Sequence, residues 1–361
     1  MIASVQSVIK KISKVTLKKA SKKLALYVSM LIVSKDRKNY ASMARENNLA
    51  YKQIYISNKD VGSYAEECVQ FLHEIIKSNS TEEDPGYIMI DFTILEKHFS
   101  KHIPGVTYDY DGSKKRVEKG FSTGFIIWSN GKIVIPFDYA LWLRKKDTGD
   151  LYKKKTELVI ELILAAKKHG IPFKEVRLDG AFASVEMLNF IKKEEMLITA
   201  RIPSNRVIEA NGEKNQLSKH SLLQMKGNEK YKTIQGIYKG HDLYFTAHKR
   251  NATSDKKEVV FIVSNVIRTP KAHVQAYSNR WPAEKYFRSG KQHIGLAHCQ
   301  SINADKQRFH VFSVMVAYAI LQCIKYDKKK QSVEEVIHDI RRRKNMLFIS
   351  EYIDLEQTIM S

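Results

Sequence analysis

Helical spacing of apolar residues dominates the first 80 positions. Residues 24–33 form the longest continuous apolar run there, about half of the ~20 residues needed to cross a bilayer. Ser34, Lys35, Asp36, Arg37 and Lys38 follow it rather than a small-residue cleavage site, so the run predicts a buried helix and not a leader. Residues 78–86 (Ser-Asn-Ser-Thr-Glu-Glu-Asp-Pro-Gly) are polar, turn-rich and aperiodic, which predicts a domain boundary with a linker at 81–86.

Beyond the linker the pattern changes to strands. Residues 87–90 are a short apolar run ending in Asp91; 124–128 and 132–137 are two more, joined through Asn130-Gly131, a strong hairpin signal. Residues 156–169 repeat apolar positions at helical spacing and stop at Gly170. A strand at 175–178 ends in Asp179, a helix covers 184–193, and a further strand follows at 197–202. Three strands able to pair antiparallel, then helix, strand, helix, strand, imply a mixed sheet with helices on its faces. From 203 to 269 the composition turns β-rich, with strands at 231–238, 243–248 and 258–264. Helices resume at 271–278, 283–293, 311–324 and 332–340, the last running into Arg341-Arg342-Arg343-Lys344.

Charge narrows the function. Across 361 residues, 61 Lys and Arg stand against 39 Asp and Glu, a formal net charge of +22. Such self-repulsion points to a polyanionic partner, nucleic acid first, although an anionic membrane surface or ribosomal RNA would meet the charge alone equally well. Residues 1–80 carry 14 Lys and Arg against 6 acids, and the first 23 hold seven lysines and no acid. Cys68, Cys299 and Cys323 stand far apart with no C-x-x-C, which suits a reducing compartment and argues against a zinc ribbon. His98 and His102 are four apart with no third ligand near in sequence, and His298 beside Cys299 is no better; these histidines read as structural.

Asp91 and Asp179 each close an apolar strand, and ligands of open α/β sheets gather at the carboxyl ends of strands. Either alone is more often a turn former. A third acid stands in Tyr277-Ser-Asn-Arg280-Trp-Pro-Ala-Glu284-Lys-Tyr-Phe-Arg-Ser-Gly-Lys291, that is Y-x2-R-x3-E-x6-K. At ~100° per residue these four residues share one face of a helix. Pro282 forbids one unbroken helix and marks the first turn of a helix whose N-terminal dipole favours an ionised Glu284. A plain ion-pair ladder would show the same spacing.

With these residues the sequence resembles the DDE transposases of bacterial insertion sequences, in the insertion-sequence-four-like group marked by the Y-R-E-K signature. Ile90-Asp91-Phe92-Thr93 and Leu178-Asp179-Gly180-Ala181-Phe182 are similar to its two upstream acidic blocks, and Trp281 and Phe287 also match. Ala283 and Pro282 depart from the usual residues before the Glu. The resemblance implies a ribonuclease-H-like α/β core over 87–325: a mixed sheet of three antiparallel strands then two parallel, flanking helices and the β-rich insertion 203–269. Asp91, Asp179 and Glu284 would be its catalytic triad. Three carboxylates suit a hard cation, Mg²⁺ with Mn²⁺ able to substitute, and a pair of such ions serves in-line displacement at phosphorus. Arg280 and Lys291 would hold phosphates near the cut, with the Tyr277 hydroxyl on the same phosphate.

Around that core the sequence suggests a basic helical DNA-binding domain at 1–80 and a helical tail at 326–361. Residues 43–54 have the outline of a helix-turn-helix within 40–59: Ala44 at the helix contact, Asn48 in the turn, Leu49 and Ile54 buried. Tyr51, Lys52 and Gln53 would open its recognition helix, although Asn47 and Ser57 occupy positions expected to be apolar, and a generic helical hairpin fits as well. Some related enzymes stack an aromatic of the insertion on a flipped base. The insertion here has no Trp, leaving Tyr231, Tyr238 and Tyr244. The expected protein is a bacterial cytoplasmic, nucleoid-associated transposase. It binds terminal inverted repeats and target DNA, synapses two ends as a homodimer, cleaves and joins 3′-hydroxyl ends, and needs no membrane. The alternatives are a catalytically silent DNA-binding regulator and a ribonuclease-H-like nuclease that only hydrolyses.

Overall fold

The structure is a computed structural model that describes residues 22–112, 114–250 and 258–342; the lysine-rich start and most of the expected C-terminal tail lie outside the described residues. Among the described residues four helices come first: α1 (Lys22–Val33), α2 (Tyr40–Glu46), α3 (Tyr51–Ile54) and α4 (Val61–Ser78). Met30 and Leu31 in the apolar run of α1 are fully buried. The polar break at 78–86 is the turn from α4 into β1 (Tyr87–Glu96).

β2 (Thr107–Asp111), β3 (Arg116–Ser129), β4 (Val134–Trp142), β5 (Glu175–Leu178) and β6 (Leu197–Ile202) build the sheet around β1. β3 pairs antiparallel with both β1 and β4, while β1, β5 and β6 run parallel to one another. The arrangement differs in detail from three antiparallel strands followed by two parallel ones, because β2 adds a further antiparallel strand beside β3 and the sheet is larger. β7 (Val207–Ala210), β8 (Glu213–Gln216), β9 (Tyr231–Tyr238), β10 (His241–Arg250) and β11 (Glu258–Ser264) continue it through an antiparallel β6–β11 pair, giving eleven strands. The insertion thus extends the central sheet. Asn130-Gly131 turns β3 into β4 as expected, with Gly131 at φ +84° and the Asn130 side-chain Oδ1 accepting from the N–H groups of Lys132 and Ile133.

The remaining helices are α5 (Lys145–Thr148), α6 (Lys155–Lys168), α7 (Val185–Lys193), α8 (Pro270–Ser278), α9 (Pro282–Gln292), α10 (Ala304–Asp327) and α11 (Val333–Arg342). α6 ends where Gly170 takes φ +63°, a conformation that a side chain would disfavour. α10 is long and apolar enough to cross a membrane, yet 83% of its apolar window is buried, against α1, α4 and β4 among others. One contiguous core joins residues of α1 and α4 to β1, β3, β4 and α10.

His310 pins three parts of this core together. The Tyr27 hydroxyl donates to its Nδ1 at 2.8 Å, and its Nε2–H donates to the Gly295 carbonyl at 2.8 Å. Burial pushes the imidazole down to about 4, against about 6.5 when free. From pH 6.5 downward the unfolded chain binds a proton that the fold refuses, so stability falls until the folded ring also charges near pH 4. The loss across that window is on the order of 3 kcal/mol. Melting curves between pH 7.5 and 4.5 should show a flatter acid limb for His310→Gln than for the parent; parallel limbs would refute this role.

The helix-turn-helix outline is only partly realised. Asn48 takes the left-handed conformation at φ +52°, and Ala44 and Ile54 are buried. The second helix, however, is the single turn Tyr51–Ile54, too short to lie along a major groove. Tyr55 is extended and delivers Ile56 to the core, where it is fully buried. Asn47, at a position expected to be apolar, is buried because its amide donates to Ser34 Oγ and the Met43 carbonyl.

Candidate active site

Strand register brings the first two acids together. Ile90 pairs with Leu178 as the last parallel rung between β1 and β5, so Asp91 and Asp179 follow side by side where the strands part. β1 goes on to Glu96 paired with β3 alone, and this divergence opens a cleft at the carboxyl end of β5. The turn at Asp91 is fixed locally: the Phe92 N–H donates to Asp91 Oδ1 at 3.0 Å, and the Phe92 ring lies across Gly124, where a Cβ would come within 2.5 Å of it.

The signature residues straddle two helices. α8 stops at Ser278, residues 279–281 turn, and Pro282 opens α9 at its first position, which puts Glu284 in the first turn. α9 lies along β1, so Glu284 comes near Asp91 while Lys291, one end later, donates to Thr93 Oγ1 at 2.7 Å. Arg280, in the intervening turn, reaches all three acids: 2.6 Å to Asp91 Oδ2, 3.6 Å to Asp179 Oδ1 and 3.5 Å to Glu284 Oε1. Tyr277 donates its hydroxyl to Asp179 Oδ1 at 3.3 Å, with its ring 5.6 Å from the Arg280 guanidinium. Tyr277 also packs on Ile262 and Val274, which ties the site to insertion strand β11. Arg280 and Tyr277 were expected on DNA phosphate; in this state they serve the carboxylates.

Burial raises the Asp91 carboxyl above the ordinary range, Arg280 draws it back, and Asp179 pushes it up again. Glu284 is raised in the same way, burial outweighing Arg280 and the helix dipole. Burial lowers Lys291. Three mutually repelling carboxylates against one guanidinium leave a net negative, half-desolvated oxygen set. A divalent cation fits such donors. The cleft over them encloses about 670 Å³ and is lined further by Lys155, Arg288, Lys291 and by Asp109, Tyr110 and Asp111 of β2.

Several residues lie apart from this cleft. Tyr51, Lys52 and Gln53 are exposed on α3, where Tyr51 stacks on Tyr55 at 5.1 Å and the Gln53 side chain accepts from the Ala50 N–H. Of the insertion tyrosines, Tyr231 stacks on His248 at 4.9 Å, Tyr238 is buried and Tyr244 packs beside His273. Sequence reasoning missed β2, whose Thr-Tyr-Asp-Tyr-Asp reads as loop. It also missed the grouping of Glu96, His98 and Glu118, whose ligand atoms lie within 4.8 Å of one another. Lys114 bridges both of those carboxylates and Arg116 pairs with Glu118, so the group is already neutralised by cations.

Residues 88–320, more than half of the chain, match the transposase DDE domain. The chain belongs to that family. A search of curated proteins gave no match. The family accounts for a DNA-cleaving enzyme acting on a DNA substrate, and the mixed sheet with flanking helices is consistent with its ribonuclease-H-like fold. Divalent metal is typical of the family, and the matched segment holds all of Asp91, Asp179, Glu284, Tyr277, Arg280 and Lys291.

Proposed function

We propose that the transposase is an insertion-sequence-four-like enzyme in which Tyr277, Arg280, Glu284 and Lys291 are the Y-R-E-K signature, and that it moves its element by cutting and pasting. The observation that carries this reading is the meeting of carboxylates from three separate elements at one guanidinium beside an open cleft. Asp91, Asp179 and Glu284 would hold Mg²⁺, or Mn²⁺ in its place. When bound, such ions activate the attacking oxygen and stabilise the leaving one in displacement at phosphorus. Asp91 and Asp179 are set by strand register, and Glu284 by the Pro282 helix start. The Tyr277 hydroxyl orients Asp179, while the Lys291 ammonium lies along the cleft as a point charge for a phosphate.

In the first step water attacks the phosphorus at the element's end and the element's 3′-oxygen leaves as a hydroxyl; in the second that 3′-hydroxyl attacks a target phosphorus and the target strand's 3′-oxygen leaves, so the protein forms no covalent bond to DNA. Residues 1–80, basic in sequence, bind the terminal inverted repeats, with Tyr51, Lys52 and Gln53 exposed for contact, and two copies synapse the ends as a homodimer. Salt-dependent affinity follows from the charge on this region. The test is incubation of the purified transposase with Mg²⁺ and DNA carrying both ends of its element. Excised fragment and strand-joined product support the reading; cleavage without joining identifies a nuclease, and binding without cleavage a silent regulator.

A further inference from the structure

We infer that Tyr110, with the basic loop 144–155 beside it, forms a stacking site for an unpaired DNA base next to the cut. This deepens the reading above and rests on DNA being the substrate. β2 ends one side of the sheet order, pairing with β3. Exposed strand ends of this kind are normally blunted by charge or proline, because bare apolar edges recruit other chains. β2 instead alternates outward tyrosines with inward aspartates: Tyr108 is 45% and Tyr110 60% exposed, while Asp109 accepts from Ser122 Oγ and Lys155 Nζ, both at 2.6 Å. Opposite Tyr110 on β3 stands Val117, also exposed. Tyr110 lines the cleft that holds the three carboxylates, and it has no ring or cation–π partner among the described residues.

The wall next to it is cationic. Residues 144–155 hold Arg144, five lysines and only two acids. Arg144 lies 5.0 Å from the Tyr108 ring, Thr107 Oγ1 donates to Asp147 at 2.9 Å, and Lys155 joins Asp109, so loop and strand form one surface. Lys145, Lys146 and Lys154 are exposed on it. An open aromatic face flanked by lysines is what single-stranded nucleic acid binds, bases on the ring and phosphates on the cations, whereas a closed duplex keeps its base faces occupied.

The probe is a short duplex ending in a single-stranded 3′ extension that carries 2-aminopurine, compared with the same duplex blunt-ended, both without divalent ions. The parent should bind the extended DNA more tightly and quench the 2-aminopurine. Tyr110→Ala should abolish the quench and weaken extended DNA by roughly tenfold, on the scale of one lost stacking contact, while sparing the blunt duplex. Tyr110→Phe should behave like the parent. Lys145→Ala with Lys146→Ala should weaken both DNAs and lower the salt slope by about 1 to 2. Equal binding of the two DNAs by the parent, or an unchanged quench in Tyr110→Ala, would overturn the inference. Cleavage is read separately: a parent that fails to cut but shows the Tyr110-dependent quench retires the transposition reading and leaves the stacking site standing.

Discussion

Changing Asp91 or Asp179 to Asn, or Glu284 to Gln, is expected to abolish DNA cleavage while leaving the binding of end DNA nearly intact. Each change is isosteric and removes one negative oxygen donor from a set that Arg280 alone cannot neutralise. Metal-assisted displacement draws several kcal/mol from such donors, which corresponds to a rate loss of about a thousandfold or more. None of the three sits among the cations proposed to hold DNA. The metal-free fold should tolerate the changes, because Asp91 and Glu284 are already held above the ordinary carboxylate range by burial, so a neutral group there relieves repulsion. Gel assays of cleavage and of end binding, run side by side, check both halves. A variant that cuts near the parent rate would remove its residue from the site.

The second large effect concerns Arg280, whose side chain is 11% exposed and whose guanidinium bridges the three acids, with its Nε a buried donor that has no partner among the described residues. Arg280→Ala leaves those carboxylates without their cation. Breaking such a half-buried cluster costs on the order of 3 kcal/mol, so the melting temperature in EDTA should fall by several degrees. Mg²⁺ or Mn²⁺ should restore much of it, because the ions take over the neutralising role. Cleavage should also drop by about 10- to 150-fold, the worth of a charge-assisted hydrogen bond of roughly 1.5–3 kcal/mol. Arg280→Lys should recover charge but not the fork, hence only part of either loss. Lys291→Ala should lower cleavage without the metal-dependent swing in melting, since Lys291 bonds to Thr93 and to none of the three acids. If Arg280→Ala cleaves normally yet melts lower with and without metal, the residue is only a structural ladder to Glu284.

Long apolar segments were readable in the sequence because burial on both faces leaves no ambiguity. The strand Glu175–Leu178 and the helices following Pro270 and Pro282 stand where the pattern puts them. β1 was expected to stop before Asp91 but runs to Glu96, because β3 continues to pair with it after β5 has ended. That extra half-strand borders the cleft, and its polar residues Asp91, Thr93 and Glu96 break the apolar run that Phe92, Ile94 and Leu95 would otherwise continue. β2, β7 and β8 were invisible because they are only four or five residues long and carry no sustained apolar run. Glu175 read as an ordinary strand end, yet it is fully buried. Burial alone would raise its carboxyl, but bonds from Arg268, Arg177 and Thr199 hold it below the ordinary range. Spacing revealed the acids one by one. It could not reveal that Arg280 turns inward onto them, since the turn at 279–281 depends on how α8 packs against the insertion strands.

If Asp91, Asp179 and Glu284 together bind the divalent ions that cut DNA, manganese EPR titration of the transposase on uncut end DNA will show it. Mn²⁺ uptake by the parent should be lost or severely weakened in Asp91→Asn and in Glu284→Gln, while both variants still hold the DNA. Undiminished Mn²⁺ uptake in both variants would place the ions elsewhere and remove the three acids from the metal site.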